Sequence, residues 1–350
     1  MPVFSHPEFD NHEIVAYHHD AGTGLRAIIA VHNTNLGKGL GGCRMWPYKS
    51  DDEALTDVLR LSRGMTYKAA LAGLPQGGGK SVIIGDPRND KTMELMRAMG
   101  RFVNRVGGAY VVAEDSGTSV ADIKLMAQET PYVGGLADEK SVAEGRTGDP
   151  SPATAFGTFI GIRAAVKHKL QRESVKGLRV AIQGVGNVGY RLARHLHEAD
   201  AKLWVTDIHF PAVDRCVKEF GATAVSMEQI FGLDVDVFAP CALGAILNDV
   251  TIPQFKAPII AGAANNQLAR PVHGGVLLGK GILYAPDYVI NAGGIIDIYY
   301  EGPGYQWATV EAHLHKIGTT LGGIFERSAR EKLPTGQIAD RMAEEIFRKA

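Results

Sequence analysis

The sequence predicts an α/β protein of two domains, and three observations carry that expectation. At 350 residues the chain is long enough for two ordinary domains, each with its own core. Apolar, β-branched runs alternate with segments of helical period in both halves. Between the halves, Ala143 to Pro152 is rich in glycine and proline and has no periodicity, which marks a connection. The expected domains are therefore 1–148 and 149–329, with a C-terminal helix at about 330–350 that packs back on the first.

Composition narrows the function. Lys and Arg number 37 against 38 for Asp and Glu, interspersed, so no nucleic-acid or membrane partner is expected and the ligand is a small molecule. Cys43, Cys216 and Cys241 are scattered without a Cys-x-x-Cys pair, which argues against disulfides or a metal site and fits a reducing cytoplasm. The first fourteen residues have no apolar run of the kind a signal peptide needs.

In the first half, Leu25 to His32 reads as a strand and Asn33 to Gly42 as a turn-rich segment. Ser50-Asp-Asp-Glu53 has capping-box spacing and starts a helix that places Lys68 at the edge of its apolar stripe. Three glycines, Gly77 to Gly79, are expected to fold the chain back before a short strand from Ser81 to Ile84, so that Lys80 returns toward Lys68. Asp90 to Val106 is a helix, and the strand Tyr110 to Ala113 delivers Asp115 from its carboxyl end. Ser119 opens another helix.

The second half repeats the alternation. A helix is expected from Thr154 to His168, then the strand Leu178 to Gln183, the turn Gly184-Val185-Gly186-Asn187-Val188-Gly189, a helix from Tyr190 to Ala199 and the strand Lys202 to Thr206. An acid, Asp207, stands 18 residues after the third glycine. That is the full setting of a dinucleotide-binding βαβ unit: glycines for the turn, a helix N-terminus for pyrophosphate, an acid for the adenosine ribose. Asp207 disfavours a 2′-phosphate, so NAD is the expected cofactor and the second domain is Rossmann-type. Later strands, Val235 to Phe238, Ile259 to Ile260 and Tyr288 to Ile290, are expected to present Cys241, Ala264, Asn265, Asn266 and Asn291 at the sheet's carboxyl edge. Helices from Ala308 to Arg330 and Gly336 to Lys349 end the chain.

Gly79-Lys80-Ser81 also invites a phosphate-loop reading. That motif needs glycine at position 74, which is leucine, and a strand before the loop, whereas the clearest strand follows it.

Lys68, Lys80 and Asp115 together suggest a catalytic constellation in which Lys80 is buried, because desolvation disfavours the charged form of an amine. The motifs Gly41-Gly-Cys-Arg-Met45, Gly64-Met-Thr-Tyr-Lys68, Gly77-Gly-Gly-Lys80, Ala113-Glu-Asp-Ser-Gly-Thr118, Gly184-Val-Gly-Asn-Val-Gly189, Ala239-Pro-Cys-Ala-Leu-Gly244, Gly262-Ala-Ala-Asn-Asn266 and Tyr284-Ala-Pro-Asp-Tyr-Val-Ile-Asn-Ala-Gly-Gly294 follow in order along nearly the whole chain. In these the sequence resembles the amino-acid dehydrogenases of glutamate, leucine, phenylalanine and valine, and within them the leucine branch.

The resemblance implies reversible NAD-linked oxidative deamination of a branched-chain L-amino acid, a cleft between an N-terminal catalytic and a C-terminal cofactor domain, and a homo-oligomer, a dimer or octamer. It assigns Lys68 to the substrate carboxylate, Lys80 to activating water or polarising the carbonyl, and Asp115 to proton exchange with the amino nitrogen. It directs Thr154, Asn265, Asn291, Arg44 and the turn from Gly184 to Tyr190 toward the cofactor, with Asn266 and Gly41 toward substrate. Leu40, Met65, Ala113, Ile295 and Ile298 would line an apolar pocket; Leu40 stands where the glutamate branch has a lysine, and it cannot pair a side-chain carboxylate. Gly79 and Asp297-Ile-Tyr-Tyr300 depart from the leucine pattern and keep phenylalanine or tryptophan open, and a valine dehydrogenase of the same family is a further alternative. A non-catalytic NAD-binding regulator is the alternative from another class.

Overall fold

The computed structural model describes residues 2–136, 149–242, 244–302 and 304–349. It divides into two compact units, Met1–Gly148 with Glu301–Tyr305 and Ala343–Ala350, and Asp149–Tyr300 with Gln306–Met342. Residues 330–342, expected with the first domain, thus group with the second unit, and only the last eight residues group with the first. Of the connection expected over 143–152, residues 143–148 lie outside the described residues, and 151–152 already belong to a helix.

The first unit holds a five-stranded mixed sheet in the order β1-β2-β4-β3-β5, with β1 Ile14–Asp20, β2 Leu25–Asn33, β3 Gly39–Trp46, β4 Gly77–Ile84 and β5 Tyr110–Glu114. β3, β4 and β5 run parallel, while β2 is antiparallel to β1 and β4. Because side chains alternate along a strand, each sheet face gathers one parity of residues. Leu25, Ala27, Ile29 and Val31 join Cys43, Met45 and Ile83 under helices α2 (Met93–Arg105) and α3 (Val120–Met126). Ile28, Ala30 and Val82 meet Ala54, Leu55, Val58 and Leu59 of α1 (Asp51–Leu71) on the other face.

Sequence and structure differ here in two places. Gly77 to Gly79 do not turn the chain back: they are the first residues of β4, extended and buried. A Cβ at Gly78 would stand 2.1 Å from the Thr66 backbone nitrogen, so this glycine lets α1 lie directly on the sheet. The turn-rich Asn33 to Gly42 segment contains the start of β3, whose glycines hid the strand signal; a Cβ at Gly41 would fall 1.7 Å from the Gly79 carbonyl oxygen of the neighbouring strand. The start of α1 is as expected, with Ser50 Oγ accepting from the Glu53 amide, although the Glu53 carboxylate takes the Lys49 amide instead of completing a box.

The second unit holds an all-parallel six-stranded sheet, β6 Arg179–Gln183, β7 Lys202–Thr206, β8 Thr223–Ala224, β9 Val237–Pro240, β10 Ile259–Ile260 and β11 Leu283–Tyr284, in the order β11-β10-β9-β6-β7-β8. This is the doubly wound order of dinucleotide-binding domains, with the direction of winding reversing between β6 and β9. Its helices are α4 Ser151–Leu170, α5 Asn187–Glu198, α6 Phe210–Phe220, α7 Val272–Gly279, α8 Asp287–Ile290, α9 Gly293–Tyr299, α10 Trp307–Glu331 and α11 Thr335–Phe347, the last continuing beyond Met342 into the residues grouped with the first unit. Tyr288 to Ile290, expected as a strand, is helical. Pro286 precedes it and the Asp287 carboxylate accepts from the amides of Tyr288 and Gln267, which starts a helix. No helix among the described residues is long and apolar enough to cross a membrane.

Candidate functional site

Sheet parity explains how Lys80 reaches its partner without a glycine turn. Lys80 and Val82 share one face of β4, the face covered by α1, and Arg44 shares the same face of β3 opposite in parity to Cys43 and Met45. Asp115 follows directly on β5, whose last residue Glu114 pairs with Cys43 of β3, next to Arg44. Lys80 Nζ lies 2.8 Å from Asp115 Oδ2, with Lys80 only 5% exposed. Arg44 Nε donates to the same oxygen at 3.0 Å, and its Nη1 donates to Asp57 Oδ2 on α1, also at 3.0 Å. Tyr48 donates its hydroxyl proton to that Asp57 oxygen at 2.6 Å.

Burial alone would raise the Asp115 pKa. The Lys80 ammonium and the Arg44 guanidinium outweigh it and hold the carboxyl below its usual range, so Asp115 stays a carboxylate near neutral pH. The backbone behind it is fixed: the Asp115 amide donates to Thr118 Oγ1, and that hydroxyl donates to the Cys43 carbonyl on β3. A buried amine, a carboxylate and a second cation in this arrangement can hold an anionic substrate and pass a proton.

Lys68 sits in the last turn of α1, half-exposed, after the half-buried Met65. Leu40 and Ala113 are buried on β3 and β5, with Gly41 beside Leu40. Arg44, expected toward the cofactor, is committed to Asp115 and Asp57. Asp57 and Tyr48 were missed in the sequence, since nothing in their spacing ties them to Arg44. The Gly79-Lys80-Ser81 run lies inside β4 and is not a loop opening a helix, which excludes the phosphate-loop reading.

In the second unit, Gly184 has φ +92° and a Cβ at Gly189 would stand 1.9 Å from the Gly184 carbonyl oxygen, so both positions exclude larger residues. At Gly186 a Cβ would meet nothing within 4 Å: that backbone is open, immediately before the N-terminus of α5. Asp207 ends the strand and spans the turn, its carboxylate accepting from the amides of Val185 at 2.7 Å and His209 at 2.9 Å. Beside them is a cavity of about 530 Å³ lined by Val185, Gly186, Asn187, Tyr190, Arg191, Arg194, His209 and Arg215, among others. An open glycine at a helix N-terminus, facing a cavity with arginines, fits a dinucleotide's phosphates. Val188 lies in the first turn of α5. The arginines were missed; Arg191 and Arg194 lie one and two turns into the helix the glycine motif opens, which was the available signal.

The remaining candidates fall at the sheet's carboxyl edge or near it. Cys241 follows β9 beside the turn, with burial pushing its thiol up to about 12. Asn291 Nδ2 donates to Asn265 Oδ1 at 2.7 Å and to the Ala263 carbonyl at 3.1 Å, while its own Oδ1 is buried without a partner. Ala264 is buried, and Asn266 is exposed with φ 50°. Thr154 lies near the N-terminus of α4, with its hydroxyl donating to the Pro150 carbonyl. Ile295 and Ile298 are half-buried on one side of α9.

Comparison with known proteins adds to this geometry. Residues 12–132 match the model of the Glu/Leu/Phe/Val dehydrogenase dimerisation domain, and residues 145–208 and 206–321 match that of the glutamate/leucine/phenylalanine/valine dehydrogenases. The chain is 52% identical to a leucine dehydrogenase of Geobacillus stearothermophilus over 99% of its length and 93% of the relative. It is 50% identical to one of Bacillus subtilis over 99% and 94%. The crystal structure of L-tryptophan dehydrogenase from Nostoc punctiforme superposes with a TM-score of 0.85 at 46% identity, covering 97% of this chain and 96% of that one.

Proposed function

Because the chain belongs to the glutamate/leucine/phenylalanine/valine dehydrogenase family, we propose that it catalyses the reversible NAD-dependent oxidative deamination of a branched-chain L-amino acid. Leucine is the first substrate, with valine and isoleucine, and the products are the 2-oxo acid and ammonia. The observation that carries this reading is the buried Lys80–Asp115 pair at 2.8 Å.

In the first unit, Lys68 holds the substrate carboxylate as a point charge. Lys80 activates the water that adds to the substrate's Cα, or polarises the carbonyl in the reverse direction. Asp115 takes a proton from the amino nitrogen and returns it in the amination direction. Leu40, Met65 and Ala113 offer apolar surface to an aliphatic side chain, and no cation replaces Leu40 to favour an acidic one.

In the second unit, the turn from Gly184 to Gly189 and the N-terminus of α5 would hold the pyrophosphate of NAD, and Asp207 the adenosine ribose. When bound, NAD supplies the acceptor for the hydride from the substrate's Cα. Asn291 and Thr154 would serve the nicotinamide end. Leucine dehydrogenase relatives support the choice of substrate. The dimerisation-domain match over residues 12–132 supports a homo-oligomer, and three free cysteines fit the cytoplasm.

The test is a panel of L-amino acids with NAD, ranked by kcat/KM from NADH absorbance. Leucine, valine and isoleucine should lead. A ranking led by tryptophan or phenylalanine would assign the chain to an aromatic branch, and no NADH from any of them would overturn the enzyme.

A further inference from the structure

Asp115 is gripped from behind by a chain of side chains that the proposed chemistry does not use. Arg44 Nε and Lys80 Nζ both meet Oδ2, the Ser116 amide also donates to the carboxylate, and Oδ1 is the oxygen to which neither cation's contact is directed. Arg44 is itself gripped: Asp57 Oδ2 takes its Nη1, and the Tyr48 hydroxyl fixes that same carboxylate oxygen. The guanidinium is thus held at two nitrogens by two carboxylates, with a side-chain exposure of 23%. A planar fork held in this way cannot swing away from Asp115 as a lysine could.

Resting on the amino-acid dehydrogenase reading, we propose that Arg44, oriented by Asp57 and Tyr48, is a positioning residue that binds Asp115 Oδ2 so that Oδ1 exchanges the substrate proton. When the amino nitrogen gives up a proton, Oδ1 takes it and the carboxylate becomes a neutral acid; in the reverse direction that O–H bond breaks and the proton returns to nitrogen. Arg44 keeps its positive charge throughout and therefore favours the carboxylate between turnovers. The other titratable groups that act on or are affected by Asp115 are Lys80 on β4, Cys43 on β3, Tyr110 on β5 and Tyr48 after β3. Cys43, Tyr48 and Tyr110 are all shifted upward, burial being the largest cause, and stay neutral, so Lys80 and Arg44 supply the charge Asp115 experiences.

The experiment compares the wild type with Arg44→Met, Arg44→Lys and Tyr48→Phe by two readouts. One is the pH dependence of kcat/KM for L-leucine oxidation. The other is the titration of the Asp115 carboxyl by 13C NMR without substrate, assigned by difference from Asp115→Asn. Arg44→Met should move both the acid limb and the titration upward by about 1–3 pH units, the scale of losing one adjacent opposite charge. Arg44→Lys should restore part of that shift and Tyr48→Phe should show a smaller one in the same direction. Reduced activity with both readouts unmoved would overturn the proposal, leaving Arg44 a structural residue. If Arg44→Met does not fold, the lysine and Tyr48→Phe variants decide by the same criteria. Should the wild type oxidise no amino acid, the dehydrogenase reading fails, and the NMR titration still decides whether Arg44 controls Asp115.

Discussion

His32 is a buried titratable side chain of the first unit. Its Nδ1 is 2.8 Å from Thr66 Oγ1, and its ring packs near His12, Tyr67 and Phe347. Burial, then the neighbouring His12, pushes its pKa from 6.5 down to about 4, against a partial pull from Asp10. The folded protein therefore resists protonation at His32 while the unfolded chain accepts it near the ordinary value. The stability this contributes is complete above about pH 6.5 and is lost as the pH falls toward 4, and His12, shifted the same way by burial, adds to it. Denaturant unfolding between pH 7 and 4 should show stability declining with acid, and a His32→Gln protein should show a shallower decline. Equal slopes in the two proteins would contradict this. In the sequence His32 is only the last residue of an apolar strand, and its burial beside the C-terminal Phe347 involves a segment more than 300 residues away. That Lys80 and Asp115 come together was legible from the motifs that carry them; Arg44's partners were not.

At the scale of elements, the two glycine motifs do different work. Gly78 is filled space: a Cβ there meets the Thr66 nitrogen at 2.1 Å and the Ser62 carbonyl oxygen at 2.5 Å, both on α1. Gly186 is open space at the N-terminus of α5. Gly78→Ala should therefore cost about 1–3 kcal/mol of stability by forcing α1 off the sheet. Gly186→Ala should unfold like the wild type yet bind NAD more weakly, because only an approaching phosphate would meet the new methyl. Thermal unfolding and NAD titration by fluorescence check the pair, and a stable Gly78→Ala protein would show that the sheet and α1 yield at that contact. From the sequence both motifs read as turns. For Gly184 to Gly186 that reading holds, between a strand and a helix, but the helix opens at Asn187, inside the motif, instead of at Tyr190. Gly77 to Gly79 was misread because glycine carries no side-chain pattern, and the reasons for those glycines lie on other segments: the Asn33 and Gly37 carbonyls for Gly77, α1 for Gly78 and the Tyr110 ring of β5 for Gly79. Tyr288 to Ile290 shows the complementary failure: its apolar run is strand-like, and the Pro286 and Asp287 that start a helix outweigh it.

At the scale of the whole molecule, the parts that local pattern can specify were legible: the alternation of strand and helix, the dinucleotide motif and its acid, and the order of the family's motifs. The pairing order of the first sheet was not, because β3 enters between β4 and β5 and its glycines give no strand signal. That insertion is what sets Arg44 of β3 beside Asp115, between the strand of Lys80 and the strand that Asp115 follows. The proposed chemistry requires Lys80 to act on the substrate itself and not to serve as a buried support for the sheet. The direct measurement is steady-state oxidation of L-leucine by Lys80→Ala, with NAD affinity and unfolding measured on the same sample. Turnover should fall by about 10²–10⁴-fold, the usual worth of a positioned acid or base, while NAD binding and stability stay near those of the wild type. Turnover within a few-fold of the wild type, in a protein that folds and binds NAD, would contradict the assignment of Lys80 to catalysis.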